Sequence, residues 1–477
     1  MHRLSQLVVS LAIATTVAGC AVPEWGGSLP EARPLGAQHP TYRPRASEPS
    51  MSTTAPADVA ATEPTGDLSL RDALRLALLR SPELASFAWS VREAEAEQLQ
   101  ASLLPNPELE GEVENFGGTG EFRGTDAIET TVVLSHLVEL GGKRAKRMRL
   151  AELDSRLAGW DYEAKRLAVL TDATRKFVSL AAAQEQVKLA TENARLATEA
   201  AQAVANMASA GKIAPTEKLK ADVEVATSEM ARRNAVRALA TARLRMASVW
   251  GGRQAKFTQA IGVLASLDEL PPLESLAALL GQNPDLARWQ TEIAQRKTAL
   301  AAAKSQAIPD VTVGVGFRKA YETEGDDHAF LVTASIPLPI FDRNQGGIAK
   351  ARFAVMKAHM DRNAAKVALH AELAEAYAEL VTAHDEMETL REKILPMATK
   401  AYQAVQKSFR EGRSGYLDML DAQRTLVEAR GQQVGSLAAY HNARATVEAL
   451  IGQSIEHTTP KIPVKSTAES ERSSSNN

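Results

Sequence analysis

The sequence lacks several features that would place it in a familiar class of protein. Among its 477 residues there is one cysteine, so a disulfide within one chain is excluded. Aromatic residues make up 5%, which argues against a thick aromatic core. The formal net charge is −3, so the chain shows no polybasic footprint for nucleic acid. No run of about 18 apolar residues follows the N-terminal region, so we expect no transmembrane helix in the mature protein.

Motifs for catalysis, for a cofactor or for a resident metal are also missing. No Ser/His/Asp set, phosphate-binding loop or Cys/His metal motif stands out. The adjacent residues His384, Asp385 and Glu386 do not converge on one ion, because ligand pairs on a helix sit three or four residues apart. We interpret them as a solvated helix face. The sequence therefore predicts neither an enzyme, nor a cofactor, nor a metal site.

The N-terminus has the pattern of a targeting signal. A short basic start is followed by an apolar stretch and by Val17-Ala18-Gly19-Cys20, which resembles the cleavage motif of bacterial lipoproteins. We predict a lipoprotein signal peptide over residues 1–19 and lipidation of Cys20. An ordinary secretory signal with an accidental cysteine is the alternative.

Two stretches outside the body have the composition of unfolded chain. Residues 20–66 are rich in Pro, Ala, Ser, Thr and Gly, and we predict a lipidated N-terminus followed by a flexible linker. Residues 454–477 are polar and Ser-rich, which predicts a disordered tail.

The body between them is a tandem repeat. Matching proline and glycine positions recur at an offset of 201 or 202 residues. The pairs are Pro82 with Pro284, Pro107 with Pro309, Gly211 with Gly412, and Gly251 with Gly452. So long a period is not that of a solenoid, so each copy is a domain-sized half. We place the first repeat at residues 67–252, the connection at 253–272 and the second repeat at 273–453.

Each half has the same predicted order of helix, strand, strand, long helix and return helix. The strands are expected at about 107–138 and 310–339, and the long helices at about 143–250 and 345–451. In the second half, apolar and small residues from Leu369 to Ala401 follow a 3.5-residue period, which predicts a narrow helix–helix seam. A helix from 345 to 410 would be roughly 100 Å long, so it belongs to a rod or a tube. Pro396 predicts a kink within it.

The strands alternate apolar and other residues and have the length of strands that cross a membrane in a barrel. Glu110, Glu112 and Glu114 would line a lumen if their apolar neighbours face lipid; an exposed acidic hairpin is the alternative. Four strands are too few to close a barrel with a useful lumen, and a sheet with open edges cannot stand in lipid. They form either a soluble sheet or a sheet pooled by several chains, and three chains would supply twelve strands.

The turn Glu411–Gln423 (EGRSGYLDMLDAQ) resembles the turn between the long and return helices of the TolC family of outer-membrane efflux channels. With the duplicated order of elements, the resemblance covers roughly residues 68–452. It implies a mainly α chain with a small β part. It also implies a homotrimer that forms a 12-stranded outer-membrane β-barrel on a long periplasmic α-helical barrel.

The resemblance further implies a lipid-anchored protein of the cell outer membrane that extends into the periplasm and performs no catalysis. Its partners would be outer-membrane lipid, a periplasmic adaptor (membrane fusion protein) and an inner-membrane pump of the RND type. Two stretches, Val113–Gly118 (VENFGG) and Val138–Arg144 (VELGGKR), resemble the cobalt–zinc–cadmium branch and favour heavy-metal cations as substrate.

Other functions of the same sequence stay open. A multidrug efflux channel or a type I protein secretion duct would have the same fold. A periplasmic coiled-coil lipoprotein without a pore is the third hypothesis.

The resemblance also assigns functional positions. Those at the helix-hairpin tips, expected to contact the adaptor, are Ala210, Gly211, Lys212, Glu411, Gly412 and Arg413; plain hairpin turns are the alternative. Asp418 and Asp421 lie three residues apart on one helix face. In a trimer they would form two carboxylate rings at the periplasmic aperture, with a gating or selectivity role. The alternative is a favourable interaction with the helix dipole.

Overall fold

The computed structural model describes residues 27–44, 63–125, 127–262, 269–322 and 325–457. The chain is mainly helical with a small part in strands. The first half contains β1 (Gly66–Ser69), α1 (Leu70–Arg80), α2 (Pro82–Ser102), β2 (Glu108–Glu114), β3 (Glu129–Val138), α3 (Lys143–Ser209) and α4 (Pro215–Ser248). Then follow β4 (Phe257–Ile261), α5 (Leu273–Ala277), α6 (Pro284–Ala287), α7 (Trp289–Ser305), β5 (Val311–Glu322), β6 (Gly325–Ser335), α8 (Gln345–Thr389), α9 (Leu395–Arg410) and α10 (Tyr416–Ile451).

The long helices α3, α4, α8, α9 and α10 form the greater part of the body. α3 packs against both α4 and α10, and α10 packs in turn against α8 and α9. The seam predicted from Leu369 to Ala401 is wrong from Ile394 onward, because Ile394, Met397 and Ala401 are exposed. A π-helical turn between α8 and α9 shifts the buried positions by one residue, to Ala398 and Tyr402. Within α8 the seam is confirmed, because its apolar and small positions are buried. They are Leu369, Leu373, Ala376, Leu380, Ala383 and Met387.

The second long helix changes its hydrogen-bond pattern just before Pro396. A π-helical turn, Leu390–Ile394, separates α8 from α9, and the N–H of Leu395 donates to the carbonyl of Leu390. Proline has no N–H to continue the regular ladder, and an irregular turn is a common consequence. Where the sequence predicted a kink at Pro396, the structure has a π-helical turn just before the proline.

The strands form a four-stranded antiparallel sheet in the order β2-β3-β5-β6. Val138 at the end of β3 pairs with Val311 at the start of β5, and Thr312 pairs with Ser335 at the end of β6. All four strands therefore meet their helices at one end of the sheet. At the other end, which we call the loop end, Glu114 pairs with Glu129 and Glu322 pairs with Gly325.

A parallel pair of short strands, β1 with β4, was not predicted from the sequence. It joins the beginning of the first half to the stretch that leaves it. Phe257 of β4 is fully buried in the core formed by α1 to α4. The predicted connection between the repeats is thus partly a strand.

The flexible linker predicted for residues 20–66 is wrong over residues 27–44, which pack along the body; we call this stretch the strap. Leu29, Leu35 and Tyr42 lie against the first core. The N–H of Leu35 donates to the carbonyl of Gly452 (3.0 Å), and that of Tyr42 to Leu78 (2.9 Å). The composition resembles a linker, but the strap is held largely through its backbone, which composition does not reveal. Cys20 and residues 458–477 lie outside the described residues.

Candidate functional site

The two helix hairpins end in turns of the same design. Gly211 (φ 69°) follows α3, and Gly412 (φ 73°) follows α9. The N–H of Lys212 donates to Met207 (2.9 Å), and that of Arg413 donates to Ser408 (2.9 Å). These six-to-one bonds with a left-handed glycine form a Schellman motif, which satisfies the last helix carbonyls. The cap conformation expected at both glycines is confirmed.

The side chains of the two tips differ although their backbones match. At the second tip, Glu411 and Arg413 form an ion pair. At the first tip, Lys212 is exposed, and Lys220 pairs with Glu217 (2.9 Å) at the start of α4. The two tips are therefore not interchangeable surfaces.

An apolar cluster joins the two tips to each other. Val204 of α3 and Ala221 of α4 pack with Phe409 of α9 and with Tyr416 and Met419 of α10. Burial raises the pKa of Tyr416, and nearby Glu224 raises it further. The anchoring side chains of both tips therefore belong to one packed cluster.

Asp418 and Asp421 lie exposed near the start of α10. The Oδ2 atom of Asp418 accepts a hydrogen bond from the N–H of Gly415 (3.0 Å), which caps the helix. The structural role that favours an acidic residue at a helix N-terminus is thus present. This capping role does not explain Asp421, whose exposed carboxylate lies about one turn further along α10.

An ion pair that the sequence did not reveal lies next to this acidic face. Arg424 of α10 donates to Glu224 of α4 (2.5 Å). The Glu224 side chain is 10% exposed, whereas that of Arg424 is 64% exposed. No periodicity predicts this contact, because the two residues are 200 positions apart and lie in different halves.

The sheet has one apolar and one polar face. The apolar face carries exposed side chains from all four strands: Leu109, Val113, Val132, Leu134, Val313, Val315, Phe317, Phe330 and Val332. Glu110, Glu112 and Glu114 lie on the opposite face and are exposed. Gly314 and Gly316 lie on the same face as these glutamates, and a Cβ at either position would collide with Val133.

A basic residue interrupts the acidic row. Glu114 lies directly opposite Glu129 of β3, and Arg318 of β5 pairs with Glu129 (3.1 Å). Arg318 also donates to Thr131 (3.0 Å). One guanidinium therefore offsets part of the charge at the loop end of the sheet, whereas Glu110 and Glu112 lie closer to the helices.

The junction between sheet and helices contains Gly142, which lies in the VELGGKR stretch, and Asn344, which the sequence did not single out. Gly142 (φ 66°) and Asn344 (φ 53°) occupy equivalent N-cap positions of α3 and α8, both left-handed. The Asn344 amide donates to the carbonyl of Ala303 (2.8 Å). Asp310 accepts from Lys143 (2.7 Å) and thereby ties the two halves together.

His384 lies within 3.5 Å of Asp385, as an adjacent pair on the helix surface. In the described ranges, no group of three or more His, Cys, Asp and Glu side chains is arranged to hold a metal ion. Within the same part of the chain, no helix combines the length and the apolar character needed to cross a bilayer.

Comparisons with known proteins agree with this arrangement. The sequence profile described as "Outer membrane efflux protein" matches residues 73–252 and 276–453. The chain is 33% identical over 391 residues to the cobalt-zinc-cadmium resistance protein CzcC of Cupriavidus metallidurans, covering 82% of this chain and 91% of that protein. It is 28% identical over 290 residues to the nickel and cobalt resistance protein CnrC of the same organism, covering 60% and 68%.

A solved structure gives the fold independently. A crystal structure of CusC, from work on folding and transmembrane channel formation, superposes with a TM-score of 0.69 at 17% identity, covering 87% of this chain and all of that one.

Proposed function

Because the chain belongs to the outer membrane efflux protein family, we propose that it is the outer-membrane channel of a tripartite efflux system for heavy-metal cations. The proposal of a metal substrate is based on the similarity to a cobalt-zinc-cadmium resistance protein over nine-tenths of that protein. We propose a passive conduit without a catalytic step, so that energy comes from an inner-membrane pump of the RND type.

The exposed edges of the chain support the proposal of a homotrimer. α4 exposes Leu219 and Val223, which are 66% and 65% exposed. On the other side of the helix layer, Phe353, Met356, Met360 and Val367 of α8 follow a heptad spacing and are 56–71% exposed. Two such stripes on opposite edges suit head-to-tail contact, which closes a ring.

The sheet supports the barrel by the same reasoning. β2 and β6 are the outer strands of the sheet, and one edge of each pairs with no described strand of the chain. Edge-to-edge joining of three sheets would satisfy these hydrogen bonds and give twelve strands with the apolar face outward. Glu110 and Glu112 would then line the lumen, where carboxylates favour cations.

The helix-hairpin tips support the proposal that they form the periplasmic end of the channel. They lie at the far end of the long helices from the sheet, and their Schellman turns present Lys212, Glu411 and Arg413 at the surface. We propose that this surface contacts a periplasmic adaptor and that Asp418 and Asp421 form carboxylate rings at the aperture. Lipid attached to Cys20 would anchor the N-terminus in the outer membrane.

The test is growth of a deletion strain on graded zinc, cobalt, cadmium, copper and silver, beside antibiotics and dyes. Wild type is expected to restore metal tolerance. The variant Asp418→Asn/Asp421→Asn removes both charges and keeps a cap acceptor at position 418, and we expect it to restore less tolerance. Asp385→Asn/Glu388→Gln removes two exposed charges elsewhere and is the matched control.

The outcomes separate the hypotheses. Sensitivity to drugs alone would overturn the metal substrate and leave a multidrug channel. Full tolerance with the Asp418→Asn/Asp421→Asn variant would remove the aperture assignment but not the channel. A delipidated protein that is a soluble monomer, in a strain without a phenotype, would favour the coiled-coil lipoprotein.

A further inference from the structure

The segment between β6 and α8 exposes four large apolar side chains within six residues. Ile336 is 50% exposed, Leu338 72%, Ile340 62% and Phe341 89%. Isolated apolar residues are normal on a protein surface, but a contiguous patch of this kind marks an interaction site.

This patch continues the apolar face of the sheet. Phe330 and Val332 of β6 are 92% and 86% exposed on that face. Successive side chains of an extended chain alternate, so Ile336 and Leu338 follow on the same side after the strand ends at Ser335. The apolar stripe therefore runs beyond the hydrogen-bonded sheet.

Two prolines explain why the sheet stops while the stripe goes on. Pro337 and Pro339 have no N–H and cannot take part in a strand ladder. The N–H of Ile340 donates to the carbonyl of Leu338 (2.9 Å), which turns the chain about Pro339 toward α8. The turn leaves Ile340 and Phe341 exposed instead of folding them under the helix.

Cationic side chains follow directly. The Nε of Arg343 donates to the carbonyl of Pro339 (3.0 Å), which holds the guanidinium beside the apolar segment. Lys350 and Arg352 are exposed in the first turns of α8. Asp342 is the only acidic residue between positions 336 and 352.

The first half lacks this feature at the equivalent place. There the chain passes from Val138 to Gly141 with fewer apolar residues, and Glu139 is paired with Arg147 (2.5 Å). Both halves make the same transition from strand to long helix. The exposed apolar segment is therefore not required by the fold.

We propose that residues 336–341 are a lipid-contact segment at the periplasmic leaflet of the outer membrane. The four apolar side chains enter the acyl-chain region beyond the end of the sheet, and Arg343, Lys350 and Arg352 bind phospholipid phosphates. Apolar side chains next to cations are the pattern of a surface that lies at a bilayer interface. The proposal rests on the proposed function, because it takes the apolar sheet face as the lipid-facing one.

The experiment uses the full-length protein in lipid nanodiscs with one added cysteine, labelled with an environment-sensitive fluorophore. The labelled positions are Leu338→Cys in the segment, Val332→Cys on the sheet face and Asp385→Cys on α8. Phosphatidylcholine brominated in its acyl chains is the quencher. We expect about twofold or stronger quenching at positions 332 and 338 and none at 385.

The outcomes distinguish this inference from the channel itself. Quenching at 332 without quenching at 338 would overturn the lipid-contact segment and leave the barrel in place. Residues 336–341 would then contact a second copy of the chain or water. Absence of quenching at both positions would overturn both proposals.

A second arm tests the headgroup contact. Brominated phosphatidylglycerol at the same mole fraction should quench the label at 338 more strongly than brominated phosphatidylcholine. In Arg343→Gln/Lys350→Gln/Arg352→Gln the two lipids should quench equally. Equal quenching in the protein with all three cations intact would overturn phosphate binding.

Discussion

Arg166 is the residue on which attachment of the strap depends most. It forms a bidentate pair with Glu163 (2.7 Å for each bond), and the two side chains are 2% and 4% exposed. The same guanidinium donates to the strap carbonyls of Leu35 (2.9 Å) and Arg33 (3.0 Å). Glu163 completes the network by accepting from the N–H of Arg33 (2.7 Å).

Replacing Arg166 with Met removes the two donors to the strap and leaves a buried carboxylate without its partner. Each hydrogen bond to a charged group contributes about 1.5–3 kcal/mol, and an uncompensated buried charge costs about 3–5 kcal/mol. Since about 1.4 kcal/mol corresponds to tenfold, we expect amide exchange in residues 27–44 to accelerate roughly 100-fold or more.

The assay is hydrogen–deuterium exchange by mass spectrometry on the purified full-length protein, with peptides of α4 as the internal reference. In Arg166→Met, peptides of both the strap and neighbouring α3 should lose protection. The double variant Glu163→Leu/Arg166→Met removes the unpaired charge, so α3 should recover while the strap stays exposed. Unchanged protection of the strap in Arg166→Met, or equal loss in α3 for both variants, would refute the reasoning.

Three further outcomes are expected. Asn344→Ala should destabilise the start of α8 by about 1–2 kcal/mol, because alanine tolerates a left-handed conformation poorly; Asn344→Gly, with no Cβ, should cost less in the same exchange assay. Burial lowers the pKa of His39 below 6.5, and two nearby arginines lower it further, so its contribution to strap stability is present above about pH 6.5 and lost as the pH falls. Exchange of the strap measured from pH 7.5 to 5.5 should show this loss, and His39→Asn should flatten it. Arg424→Met should increase amide exchange at the start of α4 about fivefold, because Glu224 loses its ion-pair partner. The assignment would be contradicted if Glu224→Gln had a larger effect than Arg424→Met and changed exchange only in α10.

Local signals predicted much of the fold. Pro215 and the glycines at 211 and 412 mark helix boundaries because their conformational limits act within a few residues. The seam of α8 was visible because one buried face imposes its period on the sequence. The helical stretch before β5 is divided into α6 and α7 at Arg288, where no such signal occurs.

Features that depend on distant partners were not predictable from one sequence. The strap has no hydrophobic period, and its main anchor is a buried ion pair more than a hundred residues away. Arg424 and Glu224 meet only because the two hairpins pack side by side. At the candidate site the sequence therefore predicted the turns and carboxylates but missed the contact that joins the tips.

The bond between Leu35 and Gly452 sets an order on how the chain is completed. A ribosome makes the strap more than 400 residues before the carbonyl of Gly452. The strap can therefore contact the first core early, but this hydrogen bond forms only after Gly452 has been made. A chain truncated before Gly452 would retain the anchors of the strap in the first half and lack its backbone bond to the second half.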